Sequence, residues 1–208
     1  MVKKITQVIF VLLSTVIGLY PFIYLFVNRK FGLLNSKSSD LLVDTIWNIA
    51  FYSHIFFGGV ALLIGWIQFN KKIRVSRSEL HKRIGKIYMI MVFISGISGI
   101  HIGFFATGGV IASLGFICLG ILWIYTTYKA YWYAKTTRIP QHQTMMYYSY
   151  AACFSAVTLR VWLPILIMLI GDFIIAYQIV AWLCWIPNLI FAYYLTGRIK
   201  SRLVVSSI

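Results

Sequence analysis

HIFFGGVALLIGWIQF, residues 54–69, runs directly into NKKIRVSRSELHKRIGK, residues 70–86. The first segment completes an apolar run that starts near Thr45 and is long enough, at about 1.5 Å per helical residue, to cross a hydrocarbon core of about 30 Å. The second carries Lys71, Lys72, Arg74, Arg77, Lys82, Arg83 and Lys86. A span followed by such a cluster fixes orientation as well as depth, because Lys and Arg near helix ends stay on the cytoplasmic side.

Working outward, similar runs recur along the chain at residues 5–27, 45–69, 87–106, 110–133, 145–170 and 173–195. With 61% hydrophobic and 11% charged residues, the composition excludes an ordinary soluble domain. The expected fold is all-α: one domain over residues 1–208, a bundle of six transmembrane helices. Lys3 and Lys4 precede the first run, yet its length exceeds a signal-peptide core, so it is expected to be a retained helix. The turns at 107–109 and 171–172 carry no cation, so both termini are expected in the cytoplasm.

The net charge of +15 then follows from topology. These cations flank spans, where each gains about 1 kcal/mol beside anionic lipid. The expected partner is therefore anionic lipid at the cytoplasmic face, and not nucleic acid. Cys118, Cys153 and Cys184 fall inside spans, which argues against a disulfide framework.

Two local signals extend helices beyond the apolar runs. Ser76-Arg77-Ser78-Glu79 matches the S-x-x-E capping box, which would start the third helix near Arg77 and put His81 on its end at the inner membrane surface. Pro140 suits a first helical turn because its missing N–H needs no partner there, which places His142 in the first turn of the fifth helix.

Ionisable groups inside spans are costly and turn toward a cavity or a partner. Here they are His54, His101 and Arg160. On the second helix His54, Gly58, Ala61, Gly65 and Gln68 share one stripe, either a packing groove or a slot for a flat ligand below His54. On the fifth, His142 and Arg160 are separated by about five turns and share a face with Ser149, Cys153 and Ala156. Pro164 cannot donate to the carbonyl of Arg160, which predicts a kink there.

Taken together, His54-Ile55 with Gly58, Ala61-Leu62, Gly65 and Gln68-Phe69, then His81 with Arg83, Gly85 and Tyr88, then His142 with Met146, Ser149-Tyr150, Ala156 to Arg160 and Pro164, resemble the bacterial membrane-protein family called domain of unknown function 2306. Met145 and Tyr148 stand where the family pattern has Trp and Arg. His101 belongs to no motif of that family. The resemblance implies a multi-pass protein of the bacterial cytoplasmic (inner) membrane and carries no activity with it.

The residues therefore support three expectations. The first is haem b or quinone binding for membrane electron transfer, at a site between the second, third and fifth helices built from His54, Arg160, His101, Gly58, Gly65, Gln68 and Ser149. In the haem form, His54 and His101 hold the iron, and His81 and His142, with Arg83 beside them, form a second depth-matched pair at the inner surface. His101 lies about 200° around the helix from His81, so the two pairs would use different faces. The second expectation is lipid or ion binding or transport, including a proton path through His142, Ser149 and Arg160. The third is a structural or assembly subunit. No nucleophile–base set, phosphate-binding loop or carboxylate pair points to a hydrolase or kinase.

Overall fold

Asp44 starts the second crossing: its carboxylate accepts the N–H of Trp47 at 2.6 Å, and the apolar helix Thr45–Gly65 follows. Asp172 does the same for the last crossing, accepting from Ile175 at 2.8 Å. In the computed structural model, residues 2–26 and 32–205 are described. The expected end of the first span at Val27, and the start of the connection after it, lie outside them.

The helices, in chain order, are α1 (Val2–Leu19), α2 (Ser39–Val43), α3 (Thr45–Gly65), α4 (Lys71–Ser76), α5 (Ser78–Gly103), α6 (Gly109–Lys135), α7 (Ile139–Cys153), α8 (Ser155–Ile170), α9 (Phe173–Leu183) and α10 (Ile186–Val205). Short 3-10 turns at Tyr20–Leu25, Gly32–Ser36 and Trp66–Phe69 join them. No strand occurs among the described residues. Six segments are long and apolar enough to cross a membrane: Ile5–Tyr24, Thr45–Phe69, Ser78–Gly103, Gly109–Lys135, Ile139–Ile170 and Phe173–Gly197. The third and fifth start well before their apolar runs, because the helices continue into the basic flank.

The capping box does not form. Ser76 ends α4, Arg77 is the N-cap of α5 without a side-chain cap bond, and Glu79 pairs with Lys82 at 2.9 Å. The start of α5 falls where the sequence placed it for a different reason: α4, capped by Asn70, folds against α5 and sets its entry. The connection expected over residues 70–86 is thus helical for most of its length.

Two spans are interrupted. The fifth breaks at Phe154, not at Pro164, through which α8 continues. The sixth breaks at Cys184–Trp185, two residues before Pro187, whose ring removes the N–H that would have reached the Leu183 carbonyl. The breaks meet: Asn188 donates to the Cys184 carbonyl at 2.9 Å, to Thr158 at 3.1 Å and to Ala151 at 3.3 Å, and Thr158 donates to Cys184. Gly171, at φ 76°, closes α8 in a left-handed turn that costs a glycine nothing.

Candidate functional site: a cavity at the centre of the bundle

Gly58 and Gly59 on α3, Gly96 and Gly99 on α5, Gly120 on α6 and Ala156 on α8 border a cavity of about 870 Å³ that all six spans and the segment around Lys37 enclose. The sequence placed a site between the second, third and fifth helices; the structure adds the first, fourth and sixth.

His54 stands on one wall. A carbonyl only accepts, so its 2.9 Å contact with the backbone oxygen of Ser95 puts the proton on Nδ1 and leaves Nε2 with a lone pair in the neutral ring. Ser95 returns its hydroxyl to the His54 carbonyl at 2.9 Å. Both neighbours of this clasp are glycines for steric reasons: a Cβ on Gly99 would lie 2.7 Å from His54 Nδ1, and one on Gly58 would lie 2.9 Å from Ser95 Oγ.

Arg160 also lines the cavity. Its stem follows the usual tilt of helical side chains toward the N-terminus. Its guanidinium donates to the Ala156 carbonyl at 2.8 Å and lies 4.6 Å from the centre of the Tyr20 ring. Among the described residues, no carboxylate meets it. Of the chain's four acids, Asp44 and Asp172 cap helices, Glu79 pairs with Lys82, and Asp40 sits in the first turn of α2.

Two further donors border the same space, and neither was singled out from sequence. Trp47, 2% exposed and stacked on Phe51, has an indole N–H without a partner among the described residues. Lys37 donates to the Phe105 carbonyl, and Ser36 meets Thr107 at 2.9 Å, so the segment after residue 31 is tied to the turn between α5 and α6. Burial pushes the Lys37 amine down to about 8. Both were hidden because a Trp near a span end reads as an interface anchor and a loop Lys as a solvated charge.

The remaining expected site residues go elsewhere. His101 does not line the cavity; it follows Gly99 by two residues, turned about 200° around α5, and its ring lies against Phe105 at 5.6 Å. The structure does not bring it opposite His54. Gly65 admits an aromatic ring: a Cβ there would lie 2.8 Å from Tyr88 and closer still to Tyr150. Gln68 is 6% exposed and lies beside Gly85, away from the cavity.

Ser149, fully buried, belongs to a closed ring of hydrogen bonds. Thr127 must donate to the Trp123 carbonyl (2.7 Å), so Ser149 donates to Thr127 (2.7 Å) and Tyr88 donates to Ser149 (2.8 Å). The Trp123 indole N–H completes the ring at Tyr88, at 3.5 Å. Every hydroxyl proton is committed and the series ends on a backbone carbonyl, which takes up no proton. Ser149 therefore ties α5, α6 and α7 together.

At the opposite end of the bundle, His142 bonds the Ala130 carbonyl through Nδ1 at 2.8 Å. His81 lies within electrostatic reach of His142 and of Arg74. Arg83 is exposed and feels the charge of Glu79. All three cysteines are free. No group of three or more His, Cys, Asp or Glu residues suited to a metal ion occurs among the described residues.

The fold and its central cavity define a multi-pass membrane protein with six candidate spans. Residues 51–196 match the family model described as "Predicted membrane protein (DUF2306)", well over half of the chain, and the chain belongs to that family. No curated protein and no solved structure matches it.

Proposed function

We propose that the protein holds, within the central cavity, a largely apolar ligand whose anionic or hydrogen-bond-accepting end meets Arg160. The observation that carries this reading is a guanidinium bordering an 870 Å³ cavity with no carboxylate beside it among the described residues. A buried cation is stabilised by a counter-charge, and the Tyr20 face and one carbonyl supply only part of that. Trp47 Nε1 and Lys37 add donors, while the walls are mostly aliphatic and aromatic. A quinone, with carbonyls on a flat ring and an apolar tail, has this chemistry, and so does an acidic lipid.

A second reading has its own support. With Nδ1 held by a backbone carbonyl, His54 has the arrangement usual for a metal-ligating imidazole, so His54 would hold the iron of haem b and Arg160 and Lys37 would pair with its carboxylates, the group supplying one-electron transfer. His101 would not be its second ligand. We place both termini and the basic end in the cytoplasm of a bacterial cell, beside anionic lipid, on the strength of the cation distribution.

An absorption spectrum of haem-replete protein in mild detergent, oxidised and then dithionite-reduced, separates the two, since only the haem reading gives a Soret band. Solvent extraction and mass spectrometry of the same sample then identify a quinone or acidic lipid. Replacing Arg160 with Met removes a charge-assisted hydrogen bond worth about 1.5–3 kcal/mol, so affinity for the extracted ligand should fall by about 10- to 150-fold. Unchanged affinity in Arg160→Met would falsify the assignment of Arg160 to the ligand.

A further inference from the structure

The basic end of the bundle contains polar atoms that the cavity does not use. Gln68 is 6% exposed, yet its Nε2 has no hydrogen-bond partner among the described residues. The amide lies against Gly85, whose Cβ would stand 3.4 Å from its oxygen. His81 is four residues before Gly85, hence on the same face of α5 and about 6 Å along it. Its Nδ1 is likewise buried without a partner.

One guanidinium and two imidazoles converge there. Arg74, partly buried on α4, is within electrostatic reach of both His81 and His142. His142 is pinned by the Ala130 carbonyl on α6, so the cluster draws on four separate helical segments. The one nearby acid, Glu79, is exposed and held by Lys82. A cation would meet Arg74 and no carboxylate; an anion would meet the Arg74 guanidinium and the Gln68 amide N–H, and its charge would draw a proton onto each imidazole.

We propose that Gln68, Arg74, His81 and His142 form a binding site for a phosphate-type anion, distinct from the central cavity. It sharpens the general attraction of the basic end for anionic lipid, on which it rests, into one localised site. A lipid phosphodiester headgroup and free phosphate present the same oxygens, and the site lies at the level where headgroups reach it.

The test is binding to detergent-solubilised wild-type protein of phosphatidylglycerol, of phosphatidylcholine and of inorganic phosphate, read by native mass spectrometry and by imidazole ¹⁵N shifts in histidine-labelled protein. We expect one retained phosphatidylglycerol with shifts confined to His81 and His142, and at least tenfold weaker binding in Arg74→Gln and His142→Gln. Lys82→Gln removes an equal charge from an exposed position outside the cluster and should bind normally. Matching shifts with inorganic phosphate would assign the site to free phosphate; shifts with phosphatidylglycerol alone would assign it to a headgroup. Equal weakening in Lys82→Gln leaves only diffuse attraction and overturns the site, as do imidazole shifts that respond to neither probe in the wild-type protein. The wild-type spectra stand even where a variant fails to fold.

Discussion

At the scale of single residues, His54 depends on what faces it. Its ring lies against Gly99, and a methyl group there would come within 2.7 Å of Nδ1. Gly99→Ala should push the imidazole off the Ser95 carbonyl, costing a hydrogen bond of about 1 kcal/mol and weakening the cavity ligand roughly fivefold. A ligand titration beside that of wild type checks this, and unchanged affinity would mean that the clasp does not position the ligand. Lys37 makes a second prediction, because its amine sits at about 8 against an ordinary lysine value of 10.5. The folded form gives up its proton first, so the penalty of a buried charge is fully present below about pH 8 and is relieved as pH rises toward 10.5. Stability should therefore climb over that window. Affinity for a ligand with an anionic end should fall over the same window as the positive charge disappears. Lys37→Met should flatten both profiles, and parallel slopes in wild type and variant would remove Lys37 from the site.

Among the elements, hydropathy located all six spans because a lipid-facing helix must be apolar over its whole length, whatever its neighbours do. Their interruptions were less legible. Pro164 is visible and predicts a kink in the fifth span, but α8 runs on through it. The break falls instead at Phe154, one turn before Thr158, whose single hydroxyl proton goes across to the Cys184 carbonyl, a partner 26 residues away. Pro187 did carry a signal, since a proline two residues beyond Cys184–Trp185 marks where α9 stops. The two breaks hold each other through Asn188, which spends both amide hydrogens on Thr158, Cys184 and Ala151. Asn188→Leu should lower stability by about 1–2 kcal/mol, the usual range for a buried interhelical polar contact. Unfolding in mixed detergent micelles measures it; an unaltered midpoint would show that the breaks are held by packing alone.

For the whole molecule, what could be read in one chain stops where surfaces from several helices meet. His54 and Arg160 stood out as charges inside spans, and both border the cavity. Trp47 and Lys37 did not, and Ser149, expected in the site, stands in a hydrogen-bond ring, because a polar residue on a stripe looks the same whether it faces a ligand or closes such a ring. That ring beneath the cavity, from Trp123 through Tyr88, Ser149 and Thr127 back to Trp123, seals the centre toward the basic end, while Lys37 and Met168 border the cavity at the other. Ligand entry is thus expected from the Lys37 end or from lipid beside it. Leu119 touches the two largest core clusters and lines the cavity between them, so a larger side chain there has only the cavity to grow into. Leu119→Trp should abolish ligand retention while leaving the unfolding midpoint equal to or above that of wild type, because filling space adds contacts without displacing the core. Extraction and mass spectrometry of the variant decide the matter: a ligand still present at the wild-type ratio must sit outside the bundle centre, whereas loss of ligand with the fold intact ties binding to the cavity itself.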